Sequence, residues 1–242
     1  VQTFTPKLFV ANPWAVAFEH ASNEGYVVSS ASDVLVKVTL DDNGVPTVVS
    51  VPADGDTTRV LTIDVHKNPR GIVINNADTR AYVYNFISKD VSVVDLTASP
   101  EVELTRVQST DLPAAGSDAA KFLAGNELFH SSRGEFDEGV TERMSNEGWQ
   151  ACSSCHPDGL SDGVVWAFAS GPRKSIPLNG TFSPQNQTGN QRILNYSGVF
   201  DELEDFELNI RAVSGGKGLI ILTGTTDQDP NGKAFDPPNS GR

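Results

Sequence analysis

The sequence predicts a multi-domain β plus α chain, with partial β-propeller blades built as antiparallel sheets over residues 1–115 and a mainly α-helical domain over 116–242. Three observations predict it. Residues 12–40 align without gaps on residues 68–96, 56 positions on, sharing Asn12/Asn68, Pro13/Pro69, Ala21/Ala77, Tyr26/Tyr82, Val27/Val83, Val38/Val94 and Leu40/Leu96. The strand pattern gives out near Ser99-Pro100, and Leu112-Pro113-Ala114-Ala115-Gly116 reads as a linker. Beyond it, Val199, Leu203, Phe206, Ile210 and Val213 fall on one helical stripe.

Each repeat reads as three short strands, 15–18, 25–30 and 34–40 in the first copy and 71–74, 81–86 and 91–96 in the second. Period-2 alternation is plain in Val34, Val36, Val38 and Leu40. Turn residues separate the strands at Ser22-Asn23-Glu24-Gly25, Ala77-Asp78-Thr79 and Asp41-Asp42-Asn43-Gly44. Repeated units of this kind stack as propeller blades, and because closure takes about four to eight of them, two copies mark a piece of a longer polypeptide. A small two-sheet β domain is the plainer alternative. After the linker, Ser117 or Asp118 can cap a helix running to about Phe129. The later stripe ends at Gly215-Gly216, with Glu202, Glu204, Asp205 and Glu207 expected to face solvent.

With 242 residues, 38% of them hydrophobic, the chain has the composition of a soluble protein, and no apolar run reaches membrane-spanning length. A net charge of −13 opposes binding to nucleic-acid phosphates or anionic lipid and suits a basic redox partner. The chain opens Val1-Gln2-Thr3, without initiator Met or leader, as a mature chain or one cut from something longer would.

One segment names a chemistry. Cys152-Ser153-Ser154-Cys155-His156 is a C-x-x-C-H pentapeptide that uses both cysteines of the chain. Each thiol can add across one vinyl group of a porphyrin, and the adjoining imidazole can bind iron as proximal ligand, which is the c-type haem signature. Zinc would need a second ligand pair, which the sequence lacks. A thioredoxin-like pair would need a βαβ context, and a disulfide would close too small a loop to stabilise much. One covalent haem c is therefore expected, with a periplasmic or extracellular location, since bacteria attach such haem outside the cytoplasmic membrane.

Two resemblances sharpen this reading. Residues 68–86 with Val91-Ser92-Val93-Val94-Asp95-Leu96 resemble the YVTN-type β-propeller repeat, with Tyr82-Val83-Tyr84-Asn85 at the eponymous position. Residues 117–218 resemble the bacterial di-haem cytochrome c peroxidase superfamily, which includes the maturase of methylamine dehydrogenase. The likeness rests on the haem pentapeptide with Pro157-Asp158-Gly159-Leu160-Ser161-Asp162-Gly163, on Gly171-Pro172-Arg173-Lys174-Ser175-Ile176-Pro177-Leu178, and on Leu194-Asn195-Tyr196-Ser197-Gly198. It implies a cytochrome c domain for residues 116–242 and brings Tyr196 near the iron. A di-haem enzyme needs a second C-x-x-C-H, which this chain lacks.

The sixth iron position separates a carrier from an enzyme, because a strong distal ligand closes the site to oxidants. Met144, the only methionine, and His130 are the candidate distal ligands; a Tyr196-guarded open site is the alternative. Met144 could instead be a lid on the porphyrin edge, and His130 a helix-terminal histidine. Arg173 and Arg192 suit haem propionates, while Trp149 and Trp166 bracket the motif and suit porphyrin packing. His20 and His66 read as turn residues. Asp227-Gln228-Asp229-Pro230-Asn231-Gly232 with Asp236 resembles the opening of a calcium loop, but Pro238 stands where an EF-hand places Glu, so an ordinary turn is preferred over calcium. The leading expectation is electron transfer through one haem. The alternatives are a peroxidase-like di-haem oxidoreductase with its second haem elsewhere, and a propeller binding module with an accessory haem domain.

Overall fold

The computed structural model describes residues 10–53, 56–133, 143–168, 171–183, 186–191, 200 and 205–219. The chain divides into two compact units, residues 1–132 with 147–149, and residues 133–146 with 150–242. Antiparallel sheet dominates the described residues.

In the first unit, β1 (Pro13–Phe18), β2 (Glu24–Ser29) and β3 (Val34–Leu40) form an antiparallel meander. Its fourth position is split, since β3 pairs with both β4 (Pro46–Val48) and β7 (Thr62–Asp64). Between those two lies a separate hairpin of β5 (Ser50–Ala53) and β6 (Asp56–Val60). The second sheet is an unbroken meander of β8 (Pro69–Ile74), β9 (Arg80–Asn85), β10 (Asp90–Asp95) and β11 (Val102–Gln108).

The 56-residue repeat persists at the level of single dihedrals and hydrogen bonds. Asn12 and Asn68 both have positive φ, 58° and 56°, as do Asp33 and Lys89, 59° and 55°. Asn and Asp tolerate this left-handed conformation because their short polar side chains bond locally; Lys89 adopts it too. Ser30 N–H donates to Asn12 O at 2.8 Å, and 56 residues later Phe86 N–H donates to Asn68 O at 2.9 Å. The inner strand is bulged at the same place in both copies, between Pro13 and Ala15 and between Pro69 and Gly71, where proline's missing N–H interrupts the ladder.

The sheets pack face to face on a core of Tyr26, Val28, Leu35, Ile63, Val65, Ala81, Val83 and Val94. A hydrogen bond from Asn68 N–H to Asp33 Oδ1 (2.7 Å) and one from Asn68 Nδ2 to Ser30 O (2.9 Å) tie the sheets together. Tyr26, Lys37 and Glu101 add a polar clamp in which Lys37 Nζ lies 2.6 Å from Glu101 and 2.8 Å from Glu24. The Tyr26 hydroxyl reaches Glu19 and Glu101, both at 3.3 Å, and burial next to those carboxylates pushes its pKa up. Helix α1 (Asp118–His130) closes the unit, with Ser117 as N-cap accepting from Ala120 N–H at 3.2 Å. A Lys67–Glu127 ion pair holds it to the second sheet.

The described part of the second unit is mixed rather than mainly helical. It has α2 (Cys152–Cys155) and α3 (Phe206–Ala212), together with hairpins β12 (Val165–Phe168) with β13 (Gly171–Lys174) and β14 (Phe182–Ser183) with β15 (Asn186–Gln191). Helix α3 ends as its glycines predict, with Gly215 at φ 68° and Gly216 N–H donating to Ile210 O at 2.9 Å. Of the acidic residues expected to face solvent, Glu202 and Glu204 lie outside the described residues, and the other two depart from expectation. Asp205 is fully buried and Glu207 is 2% exposed. Glu207 is satisfied internally, accepting from Arg211 Nε at 2.7 Å, one helical turn on, and from Leu219 N–H at 2.9 Å.

Candidate functional site

The pentapeptide forms a single helical turn. Ala151 N–H donates to the Ser154 hydroxyl at 2.9 Å, starting α2. Pro157 ends it, because the residue before proline is driven out of the α region; His156 accordingly sits at φ −122°, ψ 63°. At positions i and i+3 of one turn, the Cys152 and Cys155 side chains share a face about 5 to 6 Å apart at Cβ. Both are half-buried and neither is in a disulfide. Burial pushes both thiols up to about 11, the charge of Asp162 adding to the effect at Cys155. Neither thiol therefore has the thiolate character of a redox-active pair.

His156 is held by the turn that follows it. Its Nδ1 lies 3.2 Å from Leu160 O. A carbonyl oxygen only accepts, so Nδ1 is the donor of this contact, which leaves Nε2 as the ring nitrogen open to a metal when the ring is neutral. Ring orientation through a backbone carbonyl is the usual support of a metal-binding histidine. The turn itself reverses at Asp158 (φ 51°) and Gly159 (φ 76°), bringing Gly159 O onto Leu178 N–H at 2.7 Å.

Asp162 connects this turn to the β12–β13 hairpin. Its backbone N–H donates to Cys155 O at 3.2 Å. Its carboxylate accepts from Trp166 Nε1 at 2.8 Å, from the Ser175 hydroxyl at 2.7 Å and from Val164 N–H at 3.0 Å. Burial pushes the carboxyl up, but these hydrogen bonds outweigh it and, with the His156 ring, hold Asp162 below the ordinary carboxylate range. Across the hairpin, Trp166 is the register partner of Arg173, whose Nη1 donates to Pro172 O at 3.2 Å. Backbone bonds thus link Cys152 to His156 and Cys155 to Asp162, whose carboxylate holds Trp166, while Arg173 is placed there only as the strand neighbour of Trp166. Asp162, Ser161 and Ser175, which organise it, were not singled out from the sequence. The available signal was the Ser161-Asp162-Gly163 turn directly after the motif.

Met144 lies in the same unit and is 2% exposed. Two hydrogen bonds strap its segment to the end of α3, Asn146 N–H to Ser214 O at 2.9 Å and Gly218 N–H to Arg143 O at 3.0 Å. Gln150, two residues before Cys152, donates from its backbone to the Ser145 hydroxyl at 3.3 Å and bonds the Ser214 hydroxyl through its amide. His130 instead belongs to the first unit, where it is 8% exposed at the end of α1 and its Nδ1 donates to Asn126 O at 2.8 Å. Trp149 also groups with the first unit. His20 and His66 lie in bends and bond Asp78 (2.7 Å) and Asp90 (2.5 Å). Arg192, Tyr196 and the calcium-like segment 227–238 lie outside the described residues.

The donor set suits a covalently attached porphyrin, with two thiols on one face of a turn and an imidazole presenting Nε2 directly after them. Among the described residues, no group of three or more His, Cys, Asp or Glu side chains converges as a metal site, and no helix is long and apolar enough to cross a membrane.

No protein family matches the chain, and no curated protein does. Among solved structures, the chain is similar to a functionally unknown protein from Desulfotomaculum acetoxidans (14% identity, 43% of this chain and 30% of that one, TM-score 0.35). It is also similar to Kuenenia stuttgartiensis hydrazine synthase (16%, 46% and 27%, TM-score 0.33) and to a protein from Lactobacillus plantarum (12%, 43% and 44%, TM-score 0.22). The chain thus spans less than half the length of each.

Proposed function

We propose that the second unit is a c-type cytochrome module that holds one haem through Cys152 and Cys155, with His156 as proximal ligand, and passes electrons singly. The observation that carries this reading is the His156 contact. Its Nδ1 donates to Leu160 O, which leaves Nε2 as the nitrogen available to iron, directly after a helical turn bearing two thiols outside any disulfide. When bound, haem supplies a one-electron iron couple.

The chain's own residues would attach and orient that group. Cys152 and Cys155 would hold the group by thioether bonds, each S–H adding across one vinyl double bond with its hydrogen going to the other vinyl carbon. Arg173 offers a guanidinium fork for a propionate, and Trp166, locked to Asp162, offers a flat apolar wall. Met144 is the preferred sixth ligand, since its buried segment is tied through Gln150 to the motif. His130 and a Tyr196-guarded open position are the other two. The first unit is read as part of a YVTN-type β-propeller, the location as periplasmic or extracellular, and the partner as a basic redox protein, given the net charge of −13.

Expression with a haem-attachment system, followed by intact mass and a pyridine haemochrome spectrum, tests the reading; a chain without covalent haem sinks it. Ferric and ferrous spectra with cyanide or carbon monoxide then separate the two activities. A low-spin site resistant to both supports the carrier, whereas rapid binding favours the peroxidase-like alternative.

A further inference from the structure

The stretch that follows the C-x-x-C-H turn reverses the charge of the chain. Residues 163–200 contain Arg173, Lys174 and Arg192 and no carboxylate, although the chain carries 31 Asp and Glu and a net charge of −13. At the chain's average density such a span would hold about five acidic residues. The carboxylate just before it, that of Asp162, is engaged by Trp166, Ser175 and Val164 N–H. Among the described residues, no acidic side chain pairs with Arg173 or Lys174. The β12–β13 hairpin turns part of this charge toward solvent. Successive strand residues point to opposite faces, and here the two faces differ. Trp166, bonded to Asp162, and Arg173 opposite it are half-buried. The other face, made of the register pairs Val165–Lys174 and Ala167–Pro172, is exposed throughout, with Val165 at 57%.

We infer that this Val165/Lys174 face docks an acidic one-electron redox protein, the second of the two partners that an electron carrier must meet. The inference rests on the electron-transfer reading of the motif. Charge complementarity selects the occupant. A carboxylate-rich surface is repelled by the chain as a whole but meets Lys174 here with no carboxylate in the same stretch, and opposite local potentials steer an encounter and fix its orientation. Val165, Ala167 and Pro172 supply the apolar centre that such a contact desolvates. The path to the motif is short, since Val165 follows Asp162 by three residues and Asp162 N–H bonds Cys155 O at 3.2 Å. At each encounter one electron is lost by one redox centre and gained by the other, with no bond or proton moved. The basic partner is left to the acidic remainder of the surface.

The test uses the haem-loaded full chain with a reduced plant-type ferredoxin of net negative charge as the acidic probe. Stopped-flow absorbance follows reduction of the ferric haem at rising ionic strength. The rate is expected to fall as salt rises, the sign of attraction between two proteins of like net charge. Lys174→Glu should lower it about tenfold at low salt, and Val165→Asp should lower it as well. Both variants should keep the parent's rate with photoreduced lumiflavin, a small neutral reductant. A rate that rises with salt, or one that Lys174→Glu leaves unchanged, overturns the inference while the electron-transfer reading stands. A chain without covalent haem overturns both. Binding to phosphatidylglycerol vesicles that Lys174→Glu abolishes, with the ferredoxin rate untouched, assigns the face to an anionic membrane and likewise overturns it.

Discussion

The Trp166 indole N–H donates to Asp162 Oδ2 at 2.8 Å, fixing a carboxylate whose backbone also bonds Cys155 O. A carboxylate whose pKa is held below the ordinary range is thereby placed beside the proposed haem ligand. In the haem-loaded protein, Asp162→Asn is predicted to raise the midpoint potential, because a nearby negative charge favours the ferric state. Redox titration at fixed pH checks this, and an unchanged potential with covalent haem intact would falsify the role.

The His156–Leu160 contact predicts a separation of attachment from ligation. With the thiols on their own helical turn, His156→Ala should keep covalent haem by mass but lose the six-coordinate low-spin spectrum. Cys152→Ala should leave one thioether and shift the pyridine haemochrome band. A His156→Ala spectrum identical to that of the parent protein would place the ligand elsewhere.

Asn68 serves two sheets at once and does so at φ 56°. Asn68→Ala removes the buried bond to Ser30 O and forces an unfavourable left-handed residue. The expected loss is about 2 to 4 kcal/mol of stability in the first unit. Asn68→Gly, which keeps the backbone freedom, should lose about 1 to 3 kcal/mol. Urea titrations of the two variants against the parent give the comparison.

Asp90, 3% exposed, would be pushed up by burial, but hydrogen bonds from His66, Asn85 and Ser88 and the charge of His66 hold its carboxyl below the usual range. A lowered folded-state pKa contributes stability that is present above the unfolded value and lost as pH falls through the folded one. The first unit should therefore weaken on acidification, and Asp90→Asn should flatten that dependence. Denaturant midpoints measured from neutral to acid pH in both proteins decide it.

Gly216 is constrained by space rather than by dihedral, since a Cβ there would meet the Arg143 and Met144 carbonyls, with Met144 O at 2.6 Å. Backbone cannot yield as a flexible side chain can. Gly216→Ala is predicted to destabilise the second unit by about 1 to 3 kcal/mol and, in the haem-loaded protein, to perturb any Met144 ligation. Thermal melts and the near-infrared charge-transfer band of ferric haem follow the two effects.

Local patterns carried much of this structure. The repeat placed both sheets, because a strand's period of two and its turn residues are written within a few positions of each other. Ser117 marked the start of α1 and Gly215 the end of α3 by capping chemistry alone. Asp205 and Glu207 misled, since helical spacing pairs Glu207 with Arg211 one turn on but does not report that both carboxylates are buried, Glu207 against the Leu219 backbone.

By itself, the sequence determined the C-x-x-C-H spacing of Cys152, Cys155 and His156 and the 56-residue repeat, because both are matters of spacing along the chain. Only the tertiary structure decided that Asp162, Ser175 and Trp166 frame the motif, that Met144 is buried in the same unit, and that Tyr82 stands in water where Tyr26 is core. Those facts depend on which distant segments come to share a hydrogen bond or a packed face, and a side chain's burial is set by its neighbours in space rather than its neighbours in sequence.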